Sequence, residues 1–324
     1  MRFFCFVFSI LFLISCSGKE NSGEKINFGV LKGPSALAFA GAMTDEYISR
    51  MPVPVDYSVY TAPDMLIPLL VKGDLDGCIL PVNVAATLYN RNPSLVKVWG
   101  ICGNGMLSVV TTDPEINTLE DLEGNKINIG GMGATPEYLF KYLLLKNGIK
   151  NDSVETDYSL APSEIVPAMA GGLLKTALLP EPFTTLALEK VDGSRIPFSV
   201  GQLYSHASGF ENYPMTVIVF RGDFVKENKS LIAGFIKVWE ESLAWTLDNP
   251  GKAAEKAETL GLGLTKAVAE KAIPKANLVH IPSGEYPAGI EGKQSIDYLL
   301  GLFHSFAPES IGGGVPGEDF YIRF

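Results

Sequence analysis

One segment of this chain occurs twice, and the duplication restricts the fold more than any other feature. Residues 63–83 open Pro63-Asp64-Met65-Leu66-Ile67-Pro68 and run through Leu70, Gly73, Leu75 and Leu80 to Pro81. Residues 162–182 open Pro162-Ser163-Glu164-Ile165-Val166-Pro167 and run through Met169, Gly172, Leu174 and Leu179 to Pro180, an offset of 99 at every position with no gap. Solenoid repeats recur every roughly 20–50 residues, so this longer spacing points to two whole lobes built alike. Each copy reads as a short helix, a glycine turn and a buried strand that ends at a proline. Two α/β lobes leave a cleft between them, and such clefts are where small ligands bind.

The flanking segments fit the same plan. Ile26 to Leu31 is a short strand, Lys32-Gly33-Pro34-Ser35 turns into an apolar helix, and Val55 to Tyr60 is a second strand. Later, Lys126 to Ile129 is a strand, Gly130 to Thr135 a glycine-rich turn, and Pro136 to Asn147 a helix with Thr135 as its N-cap and Gly148 as its stop. Alternating strands and helices imply mainly parallel sheets flanked by helices. After Met215 to Phe220 the chain is mostly helical. Two crossings between lobes are expected near 103–106 and 213–222, giving residues 25–104 plus 222–324 as lobe 1 and 105–221 as lobe 2.

Arg2 is followed by an apolar run of 12 residues, Phe3 to Ile14, broken only by Ser9. That length suits an export signal and is too short to span a bilayer, which takes about 20 residues. The run ends in Leu13-Ile14-Ser15-Cys16, which resembles a bacterial lipobox. Residues 1–15 then form the signal, Cys16 the lipid anchor, and 16–24 a polar tether; ordinary signal cleavage beside an incidental cysteine is the alternative. With a net charge of −10 the chain repels nucleic acid. Of the other cysteines, Cys78 and Cys102 either pair in an oxidising compartment or stand as buried thiols on neighbouring strands.

Strand C-terminal ends are where open α/β sheets bind ligands. Here they come in matched pairs: Lys32 to Ser35 with Gly131 to Thr135, and Pro81-Val82-Asn83 with Pro180-Glu181-Pro182. Gly133, Ala134 and Thr135 open a helix, whose free N–H groups favour a negative or electron-rich atom. Lys32 is suited to an anionic group, with Gly33 and Ser35 beside it. Asn83 is read either as a ligand contact or as the cap of the helix that follows. Glu181 is read as the acceptor for a ligand N–H or for nearby main chain. Tyr60, Tyr138, Phe183 and Tyr213 are aromatic wall candidates or core, with Tyr213 the one carried to the site. The histidines, His206, His280 and His304, have no metal-ligand spacing, and no nucleophile or phosphate-loop motif is present. No cofactor or metal is expected.

Taken together, Gly33-Pro34-Ser35, Leu119-Glu120-Asp121-Leu122-Glu123-Gly124-Asn125-Lys126, Gly133-Ala134-Thr135-Pro136-Glu137-Tyr138 and Leu178-Leu179-Pro180-Glu181-Pro182 resemble the solute-binding lipoproteins of ABC importers. The branch is the nitrate/sulfonate/taurine and thiamine-pyrimidine type. The resemblance implies the type II periplasmic-binding fold, with a small polar or anionic solute held between lobes. It also implies a membrane permease as partner, a monomeric state, and an exported, membrane-tethered location. Yeast-type pyrimidine synthases share the fold but carry a cysteine-rich motif that this chain lacks, which argues against such an enzyme. The competing expectations are an exported enzyme using the same cleft and a ligand sensor not coupled to transport.

Overall fold

The computed structural model describes residues 25–284 and 289–323. The proposed signal, Cys16 and tether lie outside them. Among the described residues ten strands form two sheets. They are β1 (Ile26–Leu31), β2 (Val55–Tyr60), β3 (Gly77–Pro81), β4 (Lys97–Asn104), β5 (Leu107–Thr111), β6 (Lys126–Ile129), β7 (Glu155–Asp157), β8 (Thr176–Pro180), β9 (Pro214–Phe220) and β10 (Leu278–Pro282). The six-stranded sheet has the order β10-β4-β9-β3-β1-β2, and the four-stranded sheet β5-β8-β6-β7.

The duplication is a duplication of structure. The helices Pro63–Lys72 and Pro162–Ala170 and the strands β3 and β8 start 99 residues apart. Each helix follows an extended alanine, Ala62 or Ala161, and has proline at its first position, where the missing N–H costs nothing. Each approach to the strand passes through a glycine with positive φ, 85° at Gly73 and 72° at Gly172, a region that a side chain disfavours. The register repeats as well: Gly29 sits beside Cys78 as Asn128 sits beside Ala177, and Asn27 beside Asp56 as Lys126 beside Glu155. In each lobe three parallel strands are joined by one antiparallel strand, β9 on β3 and β5 on β8.

That last pairing moves a boundary. Residues 105–221 were expected in the second lobe, but β9 lies between β3 and β4 in the six-stranded sheet. All but one of its residues are buried, and an apolar strand covered on both faces belongs inside a sheet. The first crossing is Gly105-Met106, and the second ends at Tyr213. The same strand separates the cysteines: Cys78 on β3 and Cys102 on β4 are free and buried, with β9 between them rather than adjacent. Burial pushes the Cys102 thiol up to about 12 and the Cys78 thiol well above its ordinary value.

The helix Gly289–Phe306, near the end of the chain, packs across the lobes: Phe303 meets Tyr138 of the helix Thr135–Lys146 at 5.8 Å, and Tyr298 meets Phe210 at 4.5 Å between ring centres. Among the described residues no helix is long and apolar enough to cross a membrane.

Candidate functional site: a cleft lined by matched loops

A cleft of about 290 Å³ lies between the two sheets, near the lower end of the roughly 300–1,000 Å³ usual for small-ligand sites. Its lining follows the duplication. Ala62 and Ala161, Pro63 and Pro162, and Pro81 and Pro180 all reach it, each pair 99 residues apart. Met106 and Met215 form a further pair. Pro180 pairs with Leu107 across β8 and β5 as Pro81 pairs with Thr216 across β3 and β9, so the residue before each partner is a methionine. With Pro136, five prolines and two methionines give stiff, mostly apolar walls.

Of the nine residues expected to bind ligand, Lys32, Ser35, Ala134 and Thr135 line the cleft. Lys32 is exposed and its stem runs beside Gly263, while Ser35 is 4% exposed. Gly33, with φ 99°, lies against the ring of Phe183 from the other lobe instead of in the lining.

Asn83 is fully buried and already occupied. Its Nδ2 donates to the Gly133 carbonyl at 2.8 Å and to the Ser310 carbonyl at 3.2 Å, and its Oδ1 accepts from the Thr135 hydroxyl at 3.2 Å. It is neither the cap of its own helix, Val82–Arg91, nor a lining residue. It is a bolt between lobes. Thr135 is correspondingly the first residue of its helix, and Ala134 is the N-cap. The turn has also used its donors: Gly133 N–H donates to Glu137 Oε2 at 2.7 Å and Ala134 N–H to the Gly131 carbonyl at 3.0 Å. The expected row of free donors at Gly133 and Ala134 is therefore closed, because a tight glycine turn satisfies its own N–H groups.

Glu181 is 6% exposed and is not among the lining residues. Its Oε2 accepts the Thr185 amide at 3.1 Å, at the start of the helix Phe183–Lys190. Burial raises its pKa; the Thr185 hydrogen bonds and the charge of Lys275 pull the other way. Tyr213 is 1% exposed, packed on Tyr204 at 5.1 Å, and its hydroxyl accepts the Leu107 amide at 3.2 Å. It braces the crossings. Tyr138 is packed on Phe303, and Tyr60 and Phe183 lie outside the lining.

Sequence reasoning missed Tyr158, Thr61, Leu160 and the two methionines, all of which line the cleft. For Thr61 and Leu160 the signal was present, since they immediately precede the duplicated alanines. Among the described residues no group of His, Cys, Asp and Glu is arranged to hold a metal ion.

Two α/β lobes joined by two crossings, with paired strand-end loops around one cleft, define the two-lobed periplasmic-binding-protein fold. The chain belongs to the NMT1-like family, whose model matches residues 22–261. Among solved structures it is similar to an ABC transporter protein from Parabacteroides distasonis, with 25% identity, a TM-score of 0.75 and coverage of 92% of this chain and 99% of that one. It is also similar to the periplasmic aliphatic sulphonate-binding protein of Escherichia coli, with 16% identity, TM-score 0.74 and 93% and 92% coverage. A third is the periplasmic nitrate-binding protein of Synechocystis, with 12% identity, TM-score 0.62 and 91% coverage of both. Among curated proteins the sequence matches none.

Proposed function

We propose that this chain is the extracytoplasmic solute-binding component of an ABC importer, holding a small solute between its lobes for a membrane permease. The observation that carries this is the cleft itself, lined from both lobes by equivalent loops. Kinship to structures named for transport, sulphonate binding and nitrate binding supports it. Lys32, Ser35, Ala134 and Thr135 are the contacts retained from the sequence. The reading is binding without turnover, by a monomer, with Cys16 as the lipid anchor because the Phe3 to Ile14 run ends in Leu-Ile-Ser-Cys.

Native mass spectrometry of the purified protein should find one co-purified small solute per chain, released on denaturation. Incubated with the protein, that solute should be recovered unchanged; conversion beyond one equivalent would establish an enzyme instead. Cys16→Ala should abolish incorporation of a labelled fatty acid.

A further inference from the structure

The apolar residues do not divide between the lobes as the sheets do. Successive residues of a strand face opposite sides of its sheet, so each sheet carries two apolar layers. On one side the layers run together. Leu80, Val82 and Phe303 of the six-stranded lobe belong to the same buried cluster as Ile129, Leu139 and Tyr142 of the four-stranded lobe. Ring contacts carry that core across the boundary, Phe303 on Tyr138 and Tyr298 on Phe210. On the other side, among the described residues, the layers stay apart. Ile79, Phe220 and Trp239 lie in a cluster drawn wholly from the six-stranded lobe, and Val110, Leu179 and Ala187 in one drawn wholly from the four-stranded lobe. The contacts across this second seam include Gly33 against the Phe183 ring and an ion pair, Lys271 of the helix Lys266–Ala272 with Glu189 of the helix Phe183–Lys190. Both charged residues are exposed.

We propose that the lobes part at the second seam and turn about the ring contacts of the first. Separating packed rings exposes apolar surface, at a cost that grows with its area. Separating an exposed ion pair returns two charges to water and costs little. The shared core therefore stays closed while the ion pair opens. The Asn83 bonds lie between the rings and the cleft, since Thr135 lines the cleft and Tyr138 stands one turn further along the helix Thr135–Lys146. A small rotation is enough to break them. Gly33 adjoins Lys32 of the lining and Phe183 follows the Pro180 loop, so the second seam leads into the cleft. Given the solute-binding reading above, on which this step rests, that seam is the solute's entrance and Lys271 with Glu189 its latch.

Two cross-links in the full chain test this, each a dimaleimide between paired cysteines at positions that reach solvent. Glu189→Cys with Lys271→Cys bridges the second seam. Lys141→Cys with Glu309→Cys bridges the first, where both residues lie beside Tyr138. Cys78 and Cys102 are buried, and Cys5 and Cys16 are replaced by alanine. The protein is unfolded and refolded to free it of bound solute. Hydrogen exchange in deuterated water is then followed at residues 33–37 and 183–187, which border the second seam. The link across the second seam should slow their exchange about 10-fold or more by removing the open form, and the link across the first should change it by less than about 2-fold. Circular dichroism should stay native in both. Equal slowing by both links would mean that the lobes part on both sides. Slowing by neither, or by the first alone, would mean that the second seam does not open. Each of these results overturns the proposal. Lys271→Glu sets like charges against each other and should speed exchange at the same residues roughly 2- to 5-fold, the reach of an exposed pair; an unchanged rate would remove the latch. No solute enters these measurements, so their failure leaves the solute-binding reading to native mass spectrometry.

Discussion

Asn83 is a buried amide, two of whose bonds, to the Gly133 carbonyl and from the Thr135 hydroxyl, run to the opposite lobe. Parting the lobes would expose the Gly133 carbonyl and the Thr135 hydroxyl to water, so the bolt favours the arrangement seen here. In Asn83→Ala both groups stay buried and unpartnered on closure, at a cost of about 1–3 kcal/mol. Solute affinity should then fall roughly 5- to 150-fold, and small-angle scattering should show a larger radius of gyration; unchanged affinity would show that the bolt does not couple to binding. Thr135→Val, which removes one bond of the set, should fall between Asn83→Ala and the parent. Glu181 makes a prediction of opposite character. Its carboxyl has a raised pKa in the folded protein because of burial. Its protonated form is thus favoured by folding, and the associated stability is present at low pH and lost as pH rises through the folded value. Melting curves of parent and Glu181→Gln should nearly coincide around pH 4 and separate in favour of Gln by about pH 8. A constant difference across that range would mean that the charge is not felt.

At the scale of elements, the helix-glycine-strand units were legible because each carries its own punctuation, proline at the start and glycine with positive φ at the end. The glycine-rich turn was legible as a turn, with its helix start misplaced by one residue. The bounds of β4, read only as a strand carrying Cys102, and the strands β5 and β10 were not legible. They follow no duplicated segment, and their burial comes from partners distant in sequence: β9 for β4, β8 for β5, and β4 for β10. At the site, the turn residues facing the cleft could be read from position alone. Asn83 and Glu181 could not, because one or two residues beyond a strand end the chain has already rotated into the next helix. Proline and methionine carry no chemical signature of a site, so beyond Pro81 and Pro180, placed by their strand ends, the walls went unnoticed. One element-level prediction concerns Gly29 on β1. A Cβ there would lie 2.4 Å from Leu66 Cδ2 and 2.9 Å from Leu75 Cδ1, so the duplicated helix is packed directly on the strand backbone. Gly29→Ala should cost about 1–3 kcal/mol by overpacking, read as a lowered denaturation midpoint. The equivalent position in the other lobe holds Asn128, so the tight approach belongs to one copy alone.

For the whole molecule, the two crossings are tied together by Asn277. Its Nδ2 donates to the Gly105 carbonyl at 3.2 Å and to Asn212 Oδ1 at 3.1 Å, one on each crossing, from a left-handed backbone with φ 45°. Asn277→Gly keeps that backbone accessible and removes the tie. It should shift the closing equilibrium, measured as the change in radius of gyration on saturation with solute, with little loss of melting temperature; an identical closing response would show that the crossings move independently of Asn277. The position of β9 has a separate consequence, for the order of assembly. The four-stranded sheet draws its strands from one continuous stretch, residues 107–180, and can be completed as soon as that stretch exists. The six-stranded sheet cannot. Its central place waits for residues 214–220, its edge for 278–282, and Val98 for its bridge to Tyr321. Late, long-range pairing is slow. For much of its synthesis the chain therefore carries one finished lobe beside another that stays open until its last residues arrive.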